Sequence, residues 1–267
     1  MSAISLIVAL LVVLYIVASL VFGPRRFRRT MQGFALQPTR RARFYVGLVV
    51  AQWLGMLIVG FVALSSAVPL STWGLRAPYY GFLHDLDAPA YTSWLFTLFV
   101  IVMVGLFILL GITGAERRLE NPDRVARLRR RIKTAEMLPH TTVERRLWLL
   151  VSISAGISEE IMYRGFLPWY FLQADNILRL HISFWQAVAL ATFFFVLAHS
   201  YQGWGGMLLA LLFGFLCVDI YYLTGSLLLP IALHILMDAR IVLIAPLILR
   251  ALAEDEALPA PQSISTV

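Results

Sequence analysis

The chain has 267 residues, 60% of them hydrophobic and only 14% charged, with a mean hydropathy of +0.80, which excludes an ordinary soluble domain and describes an integral membrane protein. The net charge of +7 does not imply nucleic acid, because most arginines flank apolar runs, where anionic lipid and membrane topology account for them. Cys217 is the only cysteine and lies in an apolar run, so an intrachain disulfide and a cysteine-rich metal cluster are excluded.

A helix needs about twenty apolar residues to cross hydrocarbon. The first such run, 4–22, has no basic segment before it and no small-residue cleavage site, so a retained span is expected, not a signal peptide. Further spans are expected at 44–64, 91–112, 147–170, 184–199, 206–223 and 227–249, about seven in all. Arginines collect between the first two spans (Arg25, Arg26, Arg28, Arg29, Arg40, Arg41, Arg43) and again from Arg117 to Arg146. Both connections are therefore expected on the cytoplasmic side, with the N-terminus outside and the C-terminus inside. In the second connection, Asn121-Pro122-Asp123 reads as a helix start and Leu138-Pro139 as its end, which predicts a surface helix. Thr141 and Glu144 have the spacing of a capping box, so the next helix should begin near Thr142. After Arg250, the acidic and proline-containing tail cannot bury enough surface to order itself. The expected fold class is all-α, a polytopic transmembrane bundle with a cytoplasmic surface helix. It forms one structural domain from N-terminal spans and a basic loop (1–140), a helical core (141–250) and a disordered tail (251–267).

The chemistry concentrates in the core. Glu159, Glu160 and Arg164 interrupt an otherwise membrane-spanning run, where each charge costs roughly 2.5–3.5 kcal/mol at the bilayer centre unless it faces protein or water. Residues four apart share a helix face, so Glu160 can approach Arg164, while Glu159 points about 100° away and aligns with Tyr163. One division makes Glu160–Arg164 a structural pair and leaves Glu159 to take a proton from water; the reverse division also satisfies the spacing. His199, four after Phe195, and His234, four before Asp238, add imidazoles in apolar surroundings, and Asp238 is positioned to orient His234. The set Glu159, His199 and His234 permits two mechanisms. Glu159 polarises water while the histidines stabilise charge, or the three hold a zinc ion that lowers the water's pKa. No cofactor is certain, zinc being the one this donor set would take, and the zinc-protease motif H-E-x-x-H is absent.

These residues form E-E-x-x-x-R, F-x-x-x-H and H-x-x-x-D in order: Glu159-Glu160…Arg164, Phe195…His199 and His234…Asp238. The pattern resembles the CAAX protease and bacteriocin-processing family, with which Gly165-Phe166-Leu167 and an upstream Trp73-Gly74-Leu75-Arg76 are also similar. The resemblance covers roughly residues 141–245 and implies an intramembrane endopeptidase. Eukaryotic members of the family remove the last three residues of prenylated CAAX proteins. Bacterial relatives are linked to bacteriocin maturation, self-immunity or surface-protein processing. By motif position, Glu159 would activate the water, His199 would assist, and His234 with Asp238 would stabilise the oxyanion or complete a metal site. The prenyl-protease branch usually has asparagine where this chain has Asp238, and an ionised aspartate cannot donate a hydrogen bond. The implied partners are a membrane-associated or lipidated protein or peptide substrate and the bilayer, which for a prokaryotic chain would be the plasma membrane.

Competing readings are a proton-coupled transporter or ion pathway with the same Glu and His residues as a relay, and a silent scaffold that binds a membrane partner through the arginine-rich loop. Asp219 and Arg240 belong to no motif, and are expected to form an interhelical pair or to snorkel, outside the site. Gly203, Gly205 and Gly206 are expected to turn the chain after His199, and Trp148, Trp169, Trp185 and Trp204 to anchor span ends. With straight spans, Glu159, His199 and His234 would lie at different depths and would not meet.

Overall fold

The computed structural model describes residues 39–81, 91–119, 137–179 and 181–257, with the isolated positions 7, 10, 11, 14, 30, 34, 83 and 89. The expected first span, most of the basic loop with its surface helix, and the last ten residues lie outside the described residues. Among the described residues all regular structure is helical: α1 (Thr39–Ser65), a 3-10 turn (Leu70–Trp73), α2 (Tyr91–Leu119), α3 (Thr142–Glu160), a π-helical segment (Ile161–Phe166), α4 (Leu167–Leu178), α5 (Phe184–Ala198), a second 3-10 turn (Ser200–Gln202), α6 (Gly203–Thr224), α7 (Leu228–Ala239) and α8 (Ile241–Ala257).

Four helical stretches are long and apolar enough to cross a membrane: Thr39–Ser65, Tyr91–Gly114, Ser200–Thr224 and Leu228–Glu254. Of the remaining expected spans, α5 is apolar but short, because a capping box of Ser183 and Gln186 starts it and His199 ends it. The expected span at 147–170 is helical throughout, yet its charges keep it out of the apolar class. The run expected at 227–249 is broken at Arg240 into α7 and α8. Helix α8 continues past Arg250 to Ala257, a correction to the disordered tail. Good helix formers fill Ala251–Ala257, and Arg250 pairs with Glu254 at 2.8 Å.

Helix α3 is the hub, with α1 and α7 packed along it most extensively. Its start is the expected capping box: Thr141 Oγ1 accepts from Glu144 N at 3.2 Å, and Glu144 Oε2 accepts from Thr141 N at 3.0 Å. The same carboxylate meets Arg41 of α1 at 3.2 Å, and Trp53 of α1 donates to Ser154 at 3.0 Å, so polar contacts fix α1 on α3 at two levels. On the α7 side the approach is closer. A Cβ on Gly156 would stand 2.5 Å from Ile235 Cγ1 and 3.0 Å from its backbone nitrogen, so only glycine permits this spacing.

The π-helical segment follows the acidic pair directly. Pro168 removes a hydrogen-bond donor and crowds the carbonyl four residues back, and the wider turn accommodates both. The first 3-10 turn presses on this segment. A Cβ on Gly165 would lie 2.8 Å from Trp73 Cβ, and the Trp73 ring packs edge-on against Phe166 and Trp169, each at 5.6 Å. Beyond Trp73 the chain pins the α6–α7 turn: Leu227 N donates to Gly74 O at 2.8 Å, Ser226 Oγ to Arg76 O at 2.6 Å, and Arg76 Nε to Gly225 O at 2.6 Å. Segment 73–76 thus holds the site's two main helices in register.

Candidate active site

The close packing of α3 on α7 brings His234 to the end of α3. Glu160 is fully buried; its Oε1 accepts from His234 Nδ1 at 2.6 Å and lies 3.1 Å from Arg164 Nη1. Arg164 in turn lies over the Phe195 ring at 4.1 Å. This gives one carboxylate two cationic or potentially cationic neighbours away from water, the arrangement that makes a buried charge tolerable. Donation to Glu160 fixes the His234 ring and directs Nε2 away from it.

Glu159 has a different environment. Its side chain is 27% exposed, and Oε2 stands 4.0 Å from His234 Nε2. Asp238, with a side chain 42% exposed, places Oδ2 3.8 Å from the same nitrogen. Neither distance is a direct hydrogen bond, and both suit a shared water or substrate oxygen. The orienter of His234 is therefore Glu160, whereas Asp238 was expected in that part; the α3–α7 approach places the Glu160 carboxylate at Nδ1, which i,i+4 spacing within α7 does not reach.

His199 ends α5, where Nδ1 donates to Phe195 O at 2.8 Å. The Phe195 ring packs against both imidazoles, with centroid distances of 4.6 Å to His199 and 6.2 Å to His234. Glu159, His199, His234 and Asp238 all line one cavity of about 1000 Å³, bounded by α1, α3 and α5 to α7. The depth conflict expected for straight spans does not arise, because α5 and α7 are only 15 and 12 residues long. Among the described residues no group of three or more His, Cys, Asp or Glu side chains is arranged to hold a metal ion.

The cavity also collects residues that carried no weight in the sequence. Tyr163 follows Glu159 at the expected helical spacing and stacks edge-on against Phe195 at 5.2 Å. Gln52 reaches the cavity from α1, with Oε1 buried and unpartnered; a lone amide in an apolar span was the available signal. Trp148, expected at a span end, lines the cavity and donates to Asp238 O at 3.0 Å, and Trp169 packs in the core, while Trp185 and Trp204 remain exposed. Gly203, at φ 77°, makes the expected turn after His199, whereas Gly205 lies within the first turn of α6 with open space around it and Gly206 packs on Gln202. Arg240 lines the cavity too and pairs with no carboxylate, while Asp219 is exposed on α6, so the expected interhelical pair is not formed among the described residues.

Neither a curated protein nor a solved structure matches the chain. Residues 143–240, which carry all seven motif residues and both walls of the buried carboxylate cluster, match the family model of the Rce1-like type II CAAX prenyl endopeptidases, the protease family to which the three motifs pointed.

Proposed function

We propose that the protein is an intramembrane endopeptidase that cleaves a membrane-associated protein or peptide through water activated by Glu159. The observation that carries this reading is the contrast between two adjacent acids: Glu160 is sealed between Arg164 and His234, whereas Glu159 faces the cavity with no ion partner closer than 4.0 Å among the described residues. A base needs both access to water and freedom from a permanent counter-ion.

A substrate carbonyl drawn into the cavity meets water between Glu159 and His234. Glu159 takes one proton as the water oxygen attacks the carbonyl carbon. In its doubly protonated form, His234 donates Nδ1–H to Glu160 and offers Nε2–H to the developing oxyanion, a contact that strengthens as charge moves onto that oxygen. Glu159 then returns its proton to the leaving nitrogen, the C–N bond breaks, and carboxylic acid and amine are released. His199, held by Phe195 O, keeps Nε2 free to hold the attacking water. Asp238 acts on the same side of His234 as Glu159, electrostatically and through solvent. No step is routed through a metal.

The test is incubation of purified wild-type and Glu159→Gln protein with a labelled library of membrane-associated peptides, prenylated and unprenylated. Products are read by mass spectrometry, and metal content is measured on the same preparations. Site-specific cleavage by wild type and none by a folded Glu159→Gln protein is expected. Equal cleavage by both would sink the assignment of the base.

A further inference from the structure

We propose that Arg240 is a specificity-determining residue that binds a carboxylate of the substrate chain, either its free C-terminus or an acidic side chain. The inference rests on the peptidase reading. Arg240 sits where α7 breaks into α8 and lines the same cavity as Glu159, His199, His234 and Asp238. Among the described residues its one hydrogen bond runs from Nη1 to Met237 Sδ at 2.9 Å, a weak acceptor that leaves most of a guanidinium's five donors unused. Asp238 is near enough to act on it electrostatically, yet among the described residues no ion pair joins the two, so the guanidinium keeps donors to spare. Asp219 is exposed on α6 and forms no ion pair with it among the described residues. A half-buried cation on the wall of a catalytic cavity, hydrogen-bonded among the described residues to a sulfur alone, is therefore a group with donors left for a partner that arrives with the substrate.

Carboxylate fits better than phosphate. The guanidinium fork matches two carboxylate oxygens, with one charge meeting one charge. A phosphate dianion would bring its second charge into a cavity already holding Glu159 and Asp238. The cavity joins the hydrolytic residues and Arg240 in one space, so a bound carboxylate would fix where along the peptide the reacting carbonyl falls. This positioning would make cleavage depend on an anion a short distance from the scissile bond.

The experiment uses matched synthetic peptides in detergent-solubilised full-length protein: free C-terminal acid against C-terminal carboxamide, each with its acidic side chains present or replaced by amides. Wild type is expected to favour one carboxylate-bearing partner by roughly ten- to a hundredfold in kcat/KM, mostly through KM. Arg240→Gln should lose that preference while cleaving the neutral peptide at the wild-type rate, and Arg240→Lys should restore part of it. Which peptide pair differs identifies the C-terminus or the side chain as the ligand. Should Arg240→Gln fail to fold, the wild-type comparison decides by itself. Indifference of wild type to both substitutions, or an equal loss on every peptide in a folded Arg240→Gln protein, overturns the proposal and leaves the peptidase reading intact. Binding of the same peptides to Glu159→Gln protein separates the two claims: a carboxylate preference in binding upholds the Arg240 site even where no peptide is cleaved. A phospholipid retained by wild type and lost from Arg240→Gln in native mass spectrometry, with no peptide preference, would assign the guanidinium to a lipid phosphate and refute the proposal.

Discussion

Glu159 and Glu160 are adjacent in the chain and occupy opposite regimes in the structure. The Glu160 side is a dry wall, in which a fully buried carboxylate is matched to Arg164 at 3.1 Å and His234 at 2.6 Å. The Glu159 side is an open cavity, in which carboxylates stand 4.0 and 3.8 Å from His234 Nε2 and keep access to solvent. One imidazole joins the two regions. A membrane enzyme needs both, because charges in a low-dielectric wall hold a geometry only when matched, whereas a group that moves protons must remain unmatched until substrate arrives.

The comparison can be broken most directly at Glu159. Replacement by Gln should lower proteolysis by roughly 10²–10⁴-fold with the thermal unfolding midpoint unchanged, as measured by peptide cleavage and a detergent-compatible melt. At Glu160 the damage should be to the fold. Glu160→Ala leaves Arg164 buried without its carboxylate, with an expected loss of about 3–5 kcal/mol in denaturant unfolding; a variant as stable as wild type would refute the dry-wall description. Gly165→Ala tests the clamp from Trp73, since the added methyl would stand 2.8 Å from Trp73 Cβ, and a loss of about 1–3 kcal/mol should appear in the same unfolding assay. Trp148→Phe removes the hydrogen bond to Asp238 O and part of the ring that packs edge-on against Tyr45, and a destabilisation of about 1–3 kcal/mol is expected in the same assay. Asp219→Asn, on the exposed face of α6, should leave the cleavage rate within about twofold of wild type.

Much of this arrangement was legible in residue spacing. The Thr141–Glu144 capping box requires only local geometry, and α3 begins where it says. The i,i+4 pairing of Glu160 with Arg164 is one of the two divisions that spacing on one helix allows, and the roughly 100° turn between neighbours says only that the two acids face different ways. Spacing failed where partners come from different helices. The orienter of His234 was sought at Asp238, four residues on, and is Glu160, brought across by the glycine-permitted approach of α3 to α7. Trp148 looked like an interfacial anchor because a tryptophan near a span end usually is one; its partner, a backbone carbonyl on α7, has no signature in the sequence. Gln52 and Arg240 stand in no motif, and the sequence places Arg240 outside the site; their access to the cavity depends on how five helices meet around it.

By itself the sequence determined that the chain is helical and membrane-embedded, and which ionisable groups are too costly to leave facing lipid, since these follow from local composition and the 3.6-residue period. Only the tertiary structure decided which acid is sealed and which is open, that one phenylalanine packs against both histidines, and that an unclaimed arginine shares the cavity with both. Those outcomes depend on ångström-scale distances between helices far apart in the chain, and such distances are set by the small residues and broken turns that let the helices approach.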